Sequence, residues 1–238
     1  MSQPLTGPRI VVALDYPTAE SAFQFVRRVA PELCRLKVGK ELFTAAGPQL
    51  VERLVTFGFD VFLDLKFHDI PSTVAKAVAA AGNLGVWMTN VHAAGGSAMM
   101  AAAVESRRAA GQRLLLVAVS ILTSMKQADL DEIGFHRPME EQVLHLAALA
   151  RRSGLDGVVC SAWEAGAIHR RLGEGFLCVT PGIRPAGDTA AGDDQERVMT
   201  PAQAIEAGSD YLVVGRPVTQ AADPVSVLLD MARQIAEY

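Results

Sequence analysis

Asp64, Lys66 and Asp69 stand in the run Leu-Asp-Leu-Lys-Phe-His-Asp-Ile-Pro at residues 63–71, two carboxylates bracketing one ammonium. The stretch before them, Phe59 to Leu63, is short, β-branched and aromatic, which predicts a strand with Asp64 and Lys66 on one face. Asp69 follows the turn. Opposite charges at close range favour the ionised form, so Lys66 is expected to stay an ammonium and to act as a proton donor. A Schiff-base lysine needs apolar burial or cationic neighbours instead. The same run would also serve as a structural ion pair at a strand end, and only its surroundings separate the two roles.

Those surroundings are periodic. Short apolar runs recur at Ile10–Leu14, Arg35–Val38, Val61–Leu63, Val86–Val91, Leu114–Val119, Gly157–Cys160, Phe176–Val179 and Tyr211–Val214, eight in all. Helix-like segments at 18–30, 41–57, 72–83, 96–110, 139–153, 162–172, 200–208 and 223–236 alternate with them, several opened by proline, serine or threonine. Alternation of this kind predicts parallel strands joined by helices. Eight repeats in 238 residues favour one closed (β/α)₈ TIM barrel spanning residues 1–238, and α/β barrels of this length are routinely single domains. No Gly-x-Gly-x-x-Gly follows the first run, which removes the main sequence support for an open dinucleotide-binding sheet. In a barrel, chemistry collects at the C-terminal ends of the strands. Asp15, Lys37, Asp64, Lys66, His92, Ser120, Thr123, Arg184 and Arg216 all fall at or just beyond such ends. His92 is read as structural, and Trp87 and Met88 as core.

Composition narrows the function classes. Half of the residues are hydrophobic and 20% are charged, which excludes global disorder. The net charge of −4 comes without a basic block, so neither nucleic acid nor an anionic membrane surface is an expected partner. No apolar stretch approaches spanning length. Cys34, Cys160 and Cys178 lie far apart and read as buried free thiols; with no basic-then-apolar segment at the N-terminus, a cytoplasmic location is expected. His68, His92, His136, His145 and His169 show no paired spacing, and no metal is expected.

The last two strand ends carry a second chemistry. Gly215-Arg216-Pro217 follows Val213-Val214 directly; the glycine lets backbone amides approach an anion and the arginine offers a planar fork of donors. Loops after strands seven and eight of barrels often hold phosphate. The preceding segment, PGIRPAGDTAAGDDQER at 181–197, is polar and longer than an ordinary βα connection. Such loops are often lids, and Arg184 and Gln195 are donors that could close on an anion.

With these residues assembled, the chain closely resembles the short bacterial orotidine 5′-phosphate decarboxylases over essentially its full length. The resemblance rests on ALDY at 13–16, RLKVGKELF at 35–43, FLDLKFHDIPST at 62–73, NVHAAGG at 90–96, ILTSM at 121–125, VTPGIRP at 179–185 and VVGRPVT at 213–219. It implies conversion of orotidine 5′-phosphate to uridine 5′-phosphate and carbon dioxide in pyrimidine biosynthesis without any cofactor. Stabilisation then has to come from fixed charges and transition-state binding. By resemblance, Lys37, Asp64, Lys66 and Asp69 form an alternating charged array. Lys66 protonates C6 of the developing carbanion, and Asp64 lies beside the departing carboxylate. Asp15 and Lys37 are expected at the ribose hydroxyls, Thr123 at the pyrimidine, and Arg184, Gln195, Arg216 and the Gly215 amide at the phosphate. Asp69 and Thr73 are expected to reach the site of a neighbouring subunit, which implies a homodimer. The rivals are a related magnesium-dependent sugar-phosphate decarboxylase or synthase, and a non-catalytic nucleotide-binding barrel. Lys37 and the PGIRP segment favour the nucleotide enzyme over the first.

Overall fold

The computed structural model describes residues 6–185 and 198–236. Among them eight parallel strands close into a barrel in sequence order: β1 (Ile10–Ala13), β2 (Arg35–Gly39), β3 (Val61–Phe67), β4 (Met88–His92), β5 (Leu115–Val119), β6 (Gly157–Val159), β7 (Leu177–Thr180) and β8 (Tyr211–Val214). Closure is direct, with Val11 of β1 beside Arg35 of β2 on one side and Val213 of β8 on the other. The expected TIM barrel is therefore the observed architecture.

The helices are α1 (Ala19–Val26), α2 (Lys40–Ala46), α3 (Pro48–Thr56), α4 (Pro71–Asn83), α5 (Gly96–Ala109), α6 (Gln127–Glu132), α7 (Met139–Arg152), α8 (Ala162–Leu172), α9 (Pro201–Glu206), α10 (Arg216–Thr219) and α11 (Pro224–Ala236). Their starts are written locally. Ser161 and Glu164 form a capping box on α8, with the Glu164 carboxylate accepting from Ser161 N–H at 2.8 Å. Thr200 and Gln203 do the same for α9. Prolines open α3, α4 and α9, where a missing N–H costs nothing.

One expected helix, 41–57, is two. Gly47 takes φ +70°, its N–H closes α2 on Phe43 O at 2.8 Å, and Pro48 starts α3 in a new direction. The segments 18–30 and 200–208 shorten to α1 and α9, while α6 and α10 are too short for their periodicity to be read.

Two apolar layers make the core. Inside the barrel, Val11, Ala13, Phe62, Met88, Val117, Val179, Tyr211 and Val213 pack on one another. Outside, residues of the opposite strand face, such as Leu36, Leu63, Leu116 and Val158, meet the helices. Burial on both faces explains why these strands read as continuous apolar runs. Met88 is fully buried, as expected, but Trp87 is only half-buried. It sits at the N-terminal mouth, its ring 4.9 Å from Tyr211 and the Arg35 guanidinium 4.2 Å above it. A ring that large gains from the cation and leaves its edge in water. Cys34, Cys160 and Cys178 are buried and free. Among the described residues no helix is long and apolar enough to cross a membrane.

Candidate active site

The end of β3 departs from strand geometry where the chemistry was expected. Asp64 is still in register, opposite Gly39 of β2. Toward β4, however, the pairing steps from Leu63↔Thr89 to Phe67↔Val91, so four residues of β3 span two of β4. Lys66 absorbs the difference with φ +53°, the one non-glycine positive φ among the described residues. That conformation costs an L-residue about 1–2 kcal/mol. Simple alternation therefore fails at Lys66, yet the two side chains meet, Lys66 Nζ donating to Asp64 Oδ1 at 2.7 Å.

Four charges alternate across three strand ends. Lys37 Nζ, on β2, lies 3.6 Å from Asp15 Oδ1 and 3.4 Å from Asp64 Oδ2, and Asp64 passes the chain on to Lys66. Asp64 and Lys37 are the most enclosed members, their side chains 10% and 12% exposed against 66% for Asp15. Burial alone would push the Asp64 carboxyl up. Lys37 and Lys66, with hydrogen bonds from Lys66 and Asn90, outweigh it and hold the group below its ordinary value. Asp64 is thus an anion at neutral pH in spite of its enclosure.

Asp69 does not bracket Lys66 within this chain. Its carboxylate accepts from the N–H of Ile70 at 2.6 Å and the residue is exposed, because the turn after β3 carries it outward. Thr73 is likewise exposed, in the first turn of α4. Within one protomer the alternation instead gains Asp15 at its other end, beside Lys37.

A cavity of about 590 Å³ opens over this array. Asp15, Lys37, Asp64, Lys66, Thr123, Arg184, Gly215 and Arg216 all line it, although they come from six different strands or the segments that follow them. Phe62, Val119, Val159 and Val213 form its apolar floor. Gly215 caps α10 and sits against Asp15, where a Cβ would stand in ordinary contact, 3.8 Å from Oδ2. The two ends of the long loop are stapled: Arg184 N–H donates to Met199 O at 2.9 Å and Met199 N–H to Gly182 O at 3.2 Å. Gln195 lies outside the described residues. Ser124 and Gln220 also line the cavity and were not singled out in the sequence, where each is one polar residue in an ordinary loop. Asn90 was missed as well. It is wholly buried, with hydrogen bonds at 2.7 Å to Asp64 and to the backbone of Lys66, and its only signal is a polar residue inside an apolar run.

His92, read as structural, ends β4 with its ring 5.5 Å from that of His68. Burial first, then His68, Lys40 and Lys66, lower its pKa to about 4, so it is neutral near pH 7.

The opposite, N-terminal mouth of the barrel holds a larger cavity, about 1190 Å³, lined by residues such as Arg9, Trp87, Arg113, His169, Asp210 and Tyr211 and by none of the expected site residues. In barrels that face serves stability. Among the described residues, one group there could hold a metal ion: His169, Cys178 and Asp210, with donor atoms within 4.8 Å of one another. Spacing could not reveal it, since the three come from α8, β7 and the residue before β8. As it stands, it is an ion pair of His169 Nε2 with Asp210 Oδ2 at 3.2 Å.

Known proteins match this chain over almost its whole length. The family model described as orotidine 5′-phosphate decarboxylase / HUMPS family matches residues 8–231. The chain is 60% identical over 229 residues to an orotidine 5′-phosphate decarboxylase of Halorhodospira halophila (strain DSM 244 / SL1), with 96% of each chain covered. Identity to the protein of that name from Pseudoalteromonas translucida (strain TAC 125) is 56% over 228 residues, 95% of this chain and 97% of the relative. In three dimensions, the crystal structure of orotidine 5′-phosphate decarboxylase from Lactobacillus acidophilus superposes with a TM-score of 0.86 at 39% identity, covering 97% of this chain and 99% of that one. These matches run over nearly the whole barrel, and the chain belongs to the orotidine 5′-phosphate decarboxylase / HUMPS family.

Proposed function

We propose that this protein decarboxylates orotidine 5′-phosphate to uridine 5′-phosphate and carbon dioxide, as a carboxy-lyase of pyrimidine biosynthesis. The observation that carries the reading is the alternating chain Asp15, Lys37, Asp64, Lys66 lining one cavity together with Arg184, Gly215 and Arg216. An anionic phosphate suits the arginines, and an apolar floor suits a planar base.

The chemistry follows from the charges. With the phosphate held by Gly215, Arg216 and Arg184, joined by Gln195, and the ribose hydroxyls at Asp15 and Lys37, the substrate carboxylate comes to rest beside Asp64, and Thr123 meets the pyrimidine. The bond from C6 to the carboxylate breaks, its electron pair stays on C6, and carbon dioxide leaves. Repulsion between Asp64 and the substrate carboxylate is relieved in that step. The Lys66 ammonium stabilises the new carbanion and delivers its proton to C6. Fixed charges in a desolvated site are the largest stabilising effect available without an electron sink. Phosphate binding contributes from a distance, since binding energy at a non-reacting group can drive closure.

Asp69 and Thr73 complete the reading in a homodimer. Both are exposed, Ile70 between them is 64% exposed, and an apolar side chain flanked by polar ones suits contact with a second copy. In that arrangement each protomer lends Asp69 to the array of its neighbour.

The test is turnover of orotidine 5′-phosphate by metal-stripped protein in the presence of a chelator. Uridine 5′-phosphate should form at an undiminished rate. No product at all would leave a nucleotide-binding barrel, and activity lost on chelation and restored by magnesium would point to the metal-dependent sugar-phosphate chemistry.

A further inference from the structure

We infer that Asn90 is a positioning residue that locks the proton donor and its carboxylate partner into one geometry, a role that rests on the decarboxylation proposed above. Its amide is wholly buried and uses both ends on the array: Nδ2 donates to Asp64 Oδ1 at 2.7 Å, and Oδ1 accepts from the backbone N–H of Lys66 at 2.7 Å. The orientation of the amide is fixed by its partners, because a carboxylate only accepts and an N–H only donates. One side chain of β4 thus holds Asp64 by its carboxylate and Lys66 by its backbone.

Lys66 needs such a hold. Its left-handed backbone lies where the β3–β4 pairing is interrupted, so no strand partner is available to its N–H. Strained conformations persist where the surroundings over-determine them. Asn90 supplies the missing acceptor, and the Nζ of Lys66 then projects onto Asp64 and into the cavity.

The second bond acts during the reaction. Asp64 Oδ1 is shared by Lys66 Nζ and Asn90 Nδ2, while Oδ2 faces Lys37 at 3.4 Å. When Lys66 turns to C6 and gives up its proton, its attraction for Asp64 falls. The Asn90 donor remains, so the carboxylate keeps both its place and its charge. The groups facing Asp64 are Lys37 from β2, Lys66 from β3 and Asn90 from β4, with Asp15 beyond Lys37 and His92 sensing both Asp64 and Lys66.

A purely structural role, patching the interrupted ladder, has a control one residue away. Thr89 is equally buried and its hydroxyl donates to Leu63 O at 2.9 Å, mending the same interruption without touching a charged group. Asn90→Ala is expected to lower kcat by about 10²-fold, the cost of misplacing reacting groups. KM should change little, and the acid limb of the kcat profile should move to higher pH. Asn90→Asp retains an acceptor for Lys66 N–H but sets a carboxylate against Asp64, and should move that limb further. Thr89→Val should lower the melting temperature and leave the limb in place. The inference is overturned if Asn90→Ala keeps the wild-type limb and loses no more kcat than Thr89→Val. If Asn90→Ala does not fold, Asn90→Asp decides by the same criterion. If the wild type proves inactive on orotidine 5′-phosphate, the proposed function fails separately; a ¹³C titration of the Asp64 carboxyl then tests the hold, an unchanged midpoint in the Asn90 variants overturning it.

Discussion

Lys66 combines two features that seldom coincide in a residue without a task, a left-handed backbone and an ammonium 2.7 Å from a buried carboxylate. Removing the ammonium tests its role directly. Lys66→Ala should lower kcat by at least about 10³-fold, within the range of a positioned general acid. Uridine 5′-phosphate should still bind, because the arginines and the apolar floor are untouched; calorimetry with the product checks this. Loss of product binding in a folded variant would instead assign Lys66 to ground-state binding.

Two contacts away from the cavity hold the frame that fixes these side chains. Gly157 opens β6 where a Cβ would lie 2.4 Å from the backbone oxygen of Leu177 on β7. Gly157→Ala must push two strands apart, an overpacking expected to cost about 1–3 kcal/mol, visible as a lower urea midpoint. At the N-terminal mouth, His169 ties α8 to Asp210 ahead of β8, and Asp210 in turn accepts the Cys178 N–H of β7 at 2.6 Å. Asp210 first, then the Cys178 thiol, raise His169 from 6.5 to about 10 against the opposing effect of burial. A raised folded-state value stabilises fully below the unfolded value and is lost as pH rises through the folded one. The melting temperature should therefore exceed that of His169→Gln most below pH 6.5, the gap closing as pH climbs toward 10. A gap independent of pH would show that the pair contributes packing alone.

For the molecule as a whole, the proposal divides the site between two chains. Lys66 and Asp64 line the cavity of their own chain, whereas Asp69 and Thr73 are exposed and do not line it. If each protomer completes its neighbour, Lys66→Ala and Asp69→Ala dimers should both be close to inactive, and mixing them should restore activity. Random reassortment makes half of the dimers mixed, each with one intact site, so about a quarter of wild-type activity is expected from a symmetric two-fold assembly. Activity that stays at the level of the parents after verified subunit exchange would place Asp69 within a single-chain role.

The barrel was legible in the sequence, because the strands and the longer helices carry their own periodicity and most helix starts are written in local capping residues such as Ser161, Thr200 and Pro71. Also legible were the polar residues at strand ends, and hence eight residues that line one cavity. What those residues touch became visible in the folded chain alone. That Asp15 extends the array at the Lys37 end follows from the pairing of β1 with β2, and that it shares a cavity with Arg216 follows from closure of β1 against β8, a contact across the whole length of the sequence. The left-handed turn at Lys66 and its support by Asn90 were equally hidden. Alternation assumes a regular ladder, and an interruption exists only relative to the neighbouring strand. The His169, Cys178 and Asp210 group was invisible for the same reason, its members being joined through space by three elements and by no spacing along the chain.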